Sequence, residues 1–367
     1  MHGGNLAWAA TIAGCPPSSI LDFSASINPL GPPISAIAAI QASLASLQHY
    51  PDPLQGELRQ ALSIFHQVPP EWILPGNGAA ELLTWAGRDL AQQSATYLLT
   101  PAFADYERSL TSFGASVRSR PLALPQSEID LADSPLQLWL SSLTDLPTSP
   151  DPSDCGLLLN NPHNPTGWLW TRDAIRPYLD RFALVIIDEA FMDFLPPDRQ
   201  QSCIDWVREF PNLVVVRSLT KFYSLPGLRI GYAISNPNRW QRWQRWRDPW
   251  SVNSLATAAA IAALQDSEFQ QQTWAWLEAA RSQLKQGIDQ LPGLSPLPSA
   301  ANFLLVRCQL SSTVLQEQLL KRDRIAIRDC ITFPELRDRY FRIAVRTEAE
   351  NQRLLTGLAA ILQSSDE

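Results

Sequence analysis

Short apolar runs recur through the middle of the chain, with room for a helix between them. Residues 97–100, 155–159, 184–187 and 213–217 are nearly continuous in Leu, Ile and Val rather than alternating with polar residues. A strand buried on both faces reads this way, because neither side of its pleat meets water. Helical spacing fills one interval, around 106–113. The alternation predicts an α/β fold with a mainly parallel sheet between helices. Polar residues just past the strand ends would then gather at one edge of the sheet, where such folds bind ligands.

The pattern changes towards both ends. After Pro249 come Ala- and Gln-rich helical stretches at 254–264 and 269–290, short strands at 302–306 and 340–345, and a closing helix over 348–362. At the start, a helix is expected over 7–13. The apolar segment 20–27 is bracketed by Pro16-Pro17 and by the Pro-rich stretch from Pro29 to Pro33, and reads as an arm. A helix follows over 34–47, and 136–143 is expected to be helical within a Pro-, Ser- and Asp-rich surface segment. The expected division is an arm of 1–33, a large domain of 34–250 and a small α+β domain of 251–367 completed by the arm.

Composition narrows the function classes. In 367 residues, 45% are hydrophobic and 18% charged, and the net charge is -7, so nothing global draws the chain to nucleic acid or an anionic membrane. Tryptophans at 240, 243 and 246 alternate with arginines. The stripe is read as the buried face of a helix packed between domains, with arginine towards solvent, in preference to a single-strand-binding surface. The five cysteines form no CxxC pair and the four histidines no ligand spacing, which implies a reducing compartment and no metal site. Ile12-Ala13-Gly14-Cys15 mimics a lipoprotein cleavage site but lacks the basic and apolar segments before it. No stretch is apolar enough to span a bilayer, and the cytoplasm is expected.

The candidate chemistry centres on Lys221, just past the fourth apolar run, with Ser218 and Thr220 before it and Arg229 after it. A lysine that condenses with an aldehyde must be partly desolvated and near other cations, so that its amine is often neutral. Two hydroxyls and a guanidinium fork suit a phosphate monoester. Gly78 and Ala79, in a glycine-rich turn before an apolar helix, add free backbone N–H groups. Asp188 ends a buried run, and its carboxylate needs a cationic partner.

These features, with Phe103, the Asn-Pro-His-Asn-Pro-Thr-Gly loop at 161–167 and an arginine strand near the C-terminus, resemble fold-type I pyridoxal-phosphate (PLP) enzymes, the aminotransferase superfamily. The resemblance spans nearly the whole chain. It implies that Lys221 carries PLP and that Gly78, Ala79, Ser218, Thr220 and Arg229 hold its phosphate. Phe103 would stack on the ring, Asn164 would donate to O3′, and Asp188 would pair with the ring nitrogen. His163 is given no role. Arg346 would bind the substrate carboxylate, with Arg342 as the same-face alternative. The family's usual homodimer would bring Tyr50 into the neighbouring site.

Within the superfamily, the segment around His2, the stretch 21–31 and Ile327-Arg328-Asp329-Cys330 most resemble the threonine-phosphate decarboxylases of cobalamin biosynthesis. That likeness makes Arg328, His2 and Asn28 the expected ligands of a substrate phosphate. Phe191 stands where aminotransferases often have tyrosine, which favours decarboxylation. The rivals are a histidinol-phosphate-type aminotransferase and a non-catalytic protein that keeps the fold.

Overall fold

The computed structural model of the chain describes residues 3–122 and 151–363. The helix expected over 136–143 and the candidate ligand His2 lie outside the described residues. Strand β1 (Leu21–Asp22) belongs to the N-terminal arm. The next seven strands form one sheet: β2 (Ile73–Asn77), β3 (Ala95–Thr100), β4 (Val117–Pro121), β5 (Cys155–Asn160), β6 (Leu184–Asp188), β7 (Leu213–Ser218) and β8 (Ile230–Ser235). Their spatial order is β2-β8-β7-β6-β5-β3-β4. The strands from β7 across to β4 run parallel, and β8 is antiparallel to both its neighbours.

The four apolar runs are β3, β5, β6 and β7, the centre of this sheet, and successive residues feed two cores. Leu157, Val185, Ile187 and Val215 enter the core on one face, while Leu158, Leu184, Ile186 and Val214 enter the core on the other. Each such side chain contributes roughly 1.5–3 kcal/mol on burial, so the central strands are secured from both sides. β2 and β8 are less legible. β2 contains Pro75-Gly76 and reads as a turn, yet it lies at the edge of the sheet, where proline is tolerated.

The helices are α1 (Leu6–Ala13), α2 (Ile34–Ala42), α3 (Gly56–His66), α4 (Gly78–Leu90), α5 (Ala104–Thr111), α6 (Arg172–Leu179), α7 (Leu219–Phe222), α8 (Pro237–Trp246), α9 (Ser254–Gln265), α10 (Ser267–Asp289), α11 (Ser312–Asp323) and α12 (Glu348–Gln363). The helix expected over 34–47 is interrupted: α2 stops at Ala42 and a 3-10 turn, Leu44–Gln48, follows.

The tryptophan stripe corrects an expectation. Trp240 and Trp243 of α8 are buried, but in the core they share with α4 residues such as Leu82 and Leu83, beneath the large sheet and not between domains. The arginines are not simply solvated either. Asp89 of α4 is fully buried and takes Arg239, Arg242 and the Trp243 indole N–H. A buried carboxylate needs such partners, and it fixes α8 against α4.

A second sheet has the order β12-β13-β10-β9, from β9 (Leu294–Pro296), β10 (Phe303–Cys308), β12 (Arg328–Asp329) and β13 (Tyr340–Ala344), all antiparallel. Between α11 and β12, β11 (Ile325–Ala326) pairs in parallel with β1. The Ala344 N–H donates to Phe23 O at 2.8 Å, so the arm is joined to the C-terminal segment by main-chain bonds. α9, the first helix after residue 250, packs instead on α2 and α3. Among the described residues, no helix is long and apolar enough to cross a membrane.

Candidate active site

A cavity of about 570 Å³ opens at the C-terminal ends of the parallel strands, between the two sheets and the arm. Lys221, Asp188, Asn164, Arg229, Thr220 and Phe103 all line it. β7 ends at Ser218 and turns into the four-residue α7, which carries Lys221 into the cavity. The Ser218 and Thr220 hydroxyls are bonded at 2.7 Å, and Lys221 Nζ donates to Ser218 Oγ at 3.4 Å. The amine also stands 5.2 Å from the centroid of the Phe191 ring. Burial pushes the Lys221 amine below its usual range, Asp188 opposes this, and Arg229 and Arg342 add to it. The neutral, nucleophilic form is thereby favoured.

Gly78 and Ala79 begin α4 beside Arg229. Gly78 has φ +75°, and a Cβ there would stand 2.6 Å from an Arg229 guanidinium nitrogen. The positive φ is what calls for glycine here, since the end of the flexible Arg229 side chain could give way. The helix N-terminus, the hydroxyls of Ser218 and Thr220 and the guanidinium of Arg229 make a donor-rich cradle that fits a phosphate monoester.

Asp188 lines the same cavity and offers a carboxylate. Oδ1 accepts the Ala190 N–H at 2.9 Å and Oδ2 accepts the Tyr106 hydroxyl at 2.7 Å. Burial raises its pKa, while Lys221, Tyr106 and the Ala190 N–H act in the opposite direction. Asn164 receives a hydrogen bond from Arg342 on its Oδ1. That bond fixes the orientation of the amide and leaves Nδ2 as the donor. A donor-lined cradle, an amide donor and a carboxylate around one desolvated lysine match the phosphate, the phenolic oxygen and the ring nitrogen of PLP.

Two expected ligands stand elsewhere. Arg346 does not line the cavity: its guanidinium bonds Glu350 at 2.9 Å and the Asp22 carbonyl at 3.1 Å. β13 stops at Ala344, so the two-residue period that would have aimed Arg346 inwards has ended before it. Arg342, within the strand, lines the cavity in its place. Asn28 is also spoken for. It is buried, its amide donates to Phe222 O and Thr273 Oγ1, each at 2.9 Å, and its N–H donates to Lys221 O at 3.1 Å. It fastens the arm to the lysine segment and has no donor left for a substrate.

Arg328 sits directly across from Arg342 in the β12–β13 register. It bonds Thr332 Oγ1 at 2.8 Å and lines a smaller chamber of about 190 Å³ that shares Gly3, Leu6 and Ser24 with the main cavity. Burial, reinforced by Arg328, pushes Arg342 down to about 10. Like charges directly opposite on neighbouring strands are destabilising, and here Asp329, 3.7 Å from the Arg328 guanidinium, offsets part of the repulsion. Tyr50 is 80% exposed and packs at a tilt against Trp250 with centroids 4.7 Å apart, outside its own chain's cavity.

Tyr106 is the residue that sequence reasoning passed over. It lies one helical turn after Phe103, and its contact with Asp188 spans 82 positions, so only tertiary structure brings the two together. His163 is buried, bonded to Thr166 Oγ1 at 2.8 Å, and held neutral by burial, with its pKa near 3. Among the described residues, no group of His, Cys, Asp and Glu could hold a metal ion.

The family profile for class I and II aminotransferases matches residues 18–358. The chain belongs to this family. Threonine-phosphate decarboxylase from Salmonella typhimurium is 41% identical over 369 residues, covering 98% of this chain and 96% of that protein. Histidinol-phosphate aminotransferase from Methylobacillus flagellatus is 34% identical, covering 96% and 91%. The crystal structure of histidinol-phosphate aminotransferase from Clostridium acetobutylicum superposes with a TM-score of 0.82 at 27% identity, covering 94% of this chain and 100% of that one.

Proposed function

We propose that this chain is a PLP-dependent carboxy-lyase. It converts O-phospho-L-threonine to (R)-1-aminopropan-2-yl phosphate and CO₂, and it serves cobalamin biosynthesis. The observation that carries the reading is the pair of arginines, Arg328 and Arg342, directly opposite one another on β12 and β13. O-phosphothreonine brings two anionic groups close together, a carboxylate and a phosphate, one for each guanidinium. The higher identity to the decarboxylase supports the same choice.

In this reading Lys221 anchors the cofactor. Gly78, Ala79, Ser218, Thr220 and Arg229 hold its phosphate, Phe103 covers the ring, Asn164 Nδ2 donates to O3′, and Asp188 keeps the ring nitrogen protonated. Bound there, PLP supplies an electron sink for the pair released by a broken Cα bond. Arg342 takes the substrate carboxylate and Arg328 the phosphate. Together they would fix the orientation of the substrate and so which of its Cα bonds is aligned for cleavage. Lys221, once protonated, would hold a proton within reach of Cα to replace the carboxylate that leaves as CO₂. Phe191 adds apolar surface and no hydroxyl beside the amine.

The chain would work as an arm of 1–33, a large cofactor-binding domain of 34–250 and a small domain of 251–367. The two separate sheets support this division; α9 crosses it, packing on α2 and α3 of the large domain. A homodimer in which Tyr50 reaches the neighbouring site fits the exposure of that residue, and five free cysteines support a reducing cytoplasm.

The test is incubation with PLP and O-phospho-L-threonine, with mass-spectrometric detection of the amine and measurement of CO₂. Lys221→Ala serves as control, and a parallel mixture contains histidinol phosphate and 2-oxoglutarate. Lysine-dependent CO₂ release with aminopropanol phosphate as product is expected. Glutamate formation in the second mixture without CO₂ in the first would replace the decarboxylase by an aminotransferase.

A further inference from the structure

Tyr106 touches two of the groups expected to meet the cofactor ring. Its hydroxyl donates to Asp188 Oδ2 at 2.7 Å. Its ring meets Phe103 edge to face, with centroids 5.6 Å apart and planes at 85°. The side chain is buried and lines the same cavity as Lys221. Its placement is set by backbone packing: a Cβ on Gly87 of α4 would stand 2.4 Å from the Ser109 carbonyl oxygen of α5, so the two helices are in main-chain contact there.

We propose that Tyr106 is a positioning residue for the cofactor's ring nitrogen, acting through Asp188. A carboxylate holds a protonated ring nitrogen only while it is itself charged, and burial works against that charge. Tyr106 and the Ala190 N–H each occupy one carboxylate oxygen, which favours the charged form and fixes its rotation. Burial and the neighbouring Asp188 keep the phenol protonated, so it remains a donor. The edge contact with Phe103 couples the stacking residue to the same anchor.

The inference rests on the reading that this cavity holds PLP, and the test separates the two. The probes are pyridoxamine 5′-phosphate, which forms no covalent bond to Lys221, and its analogue with C–H in place of the ring nitrogen. Affinities are measured by titration calorimetry for wild type and Tyr106→Phe, with melting of the cofactor-free proteins as the folding control. A hydrogen bond to a charged group is at stake, so Tyr106→Phe should weaken pyridoxamine phosphate about tenfold or more. It should leave the ring-carbon analogue within about twofold, because that analogue makes no use of the carboxylate. In an Asp188→Asn background the substitution should have no further effect on pyridoxamine phosphate. Equal loss with both probes would make Tyr106 a packing residue only, and no loss with either would remove it from the site; each overturns the inference. Failure of wild type to bind pyridoxamine phosphate would instead overturn the cofactor reading beneath it.

Discussion

Arg342 lies inside β13, and Arg346 lies two residues beyond its last residue. The first lines the cavity and reaches Asn164; the second closes a local ion pair with Glu350 and bonds the arm at Asp22. Substitution by glutamine should therefore separate them. Arg342→Gln removes a charge-assisted clamp on the substrate carboxylate and frees the Asn164 amide to rotate, and kcat/KM for O-phosphothreonine should fall on the order of 100-fold. Arg346→Gln removes a partly exposed pair worth at most about 1 kcal/mol, and kcat/KM should stay within about threefold. Steady-state kinetics of both variants decide this, and equal losses would return Arg346 to the site. At this scale Lys221, Asp188, Asn164 and Arg229 were legible because each belongs to a short motif whose local geometry carries it to the cavity. Arg346 and Asn28 were misplaced because their surroundings depend on where a strand ends and where the arm docks. Neither is a local property.

Among the elements, the central strands were legible and the edges were not. β5, β6 and β7 announce themselves because both faces are buried, whereas β2, with Pro75 and Gly76, becomes a strand only because β8 pairs with it. The contact of α4 with α5 is likewise a tertiary fact, marked in the sequence by a single glycine. In an exposed helix, Gly87→Ala would stabilise by roughly 1 kcal/mol through helix propensity. Here the new Cβ meets a carbonyl oxygen at 2.4 Å, and main chain cannot turn aside as a flexible side chain can. Overpacking of this kind costs about 1–3 kcal/mol, which outweighs the gain. Chemical denaturation should therefore show Gly87→Ala to be destabilised by up to about 2 kcal/mol, with the displaced α5 also weakening the Tyr106 contact to Asp188. A stabilised variant would mean that the two helices separate without cost.

For the whole molecule, the large apolar side chains left uncovered among the described residues are concentrated between Leu30 and Phe65. Ile34 is 88% exposed, Leu47 64%, Tyr50 80% and Leu54 67%, and Trp250 packs against Tyr50. α2 is left largely uncovered, since only Ala36 of that helix is buried. Large apolar side chains grouped in this way are characteristic of a surface that meets another chain. If a second copy covers it, Tyr50 leaves its own chain and can serve the partner's cavity, and two defective chains should repair one another. A chain with Lys221→Ala retains Tyr50, and a chain with Tyr50→Ala retains Lys221. In a mixed dimer, one cavity then has both intact groups and the other has neither. Random pairing puts about half of the dimers in the mixed form with one of two sites restored, so decarboxylation should recover to about a quarter of the wild-type rate after the chains are co-refolded. Recovery at that level, absent when the two variants are assayed separately, requires a dimer with a tyrosine acting across it. A mixture no more active than the average of its parts would confine Tyr50 to its own chain and leave the apolar surface to some other contact.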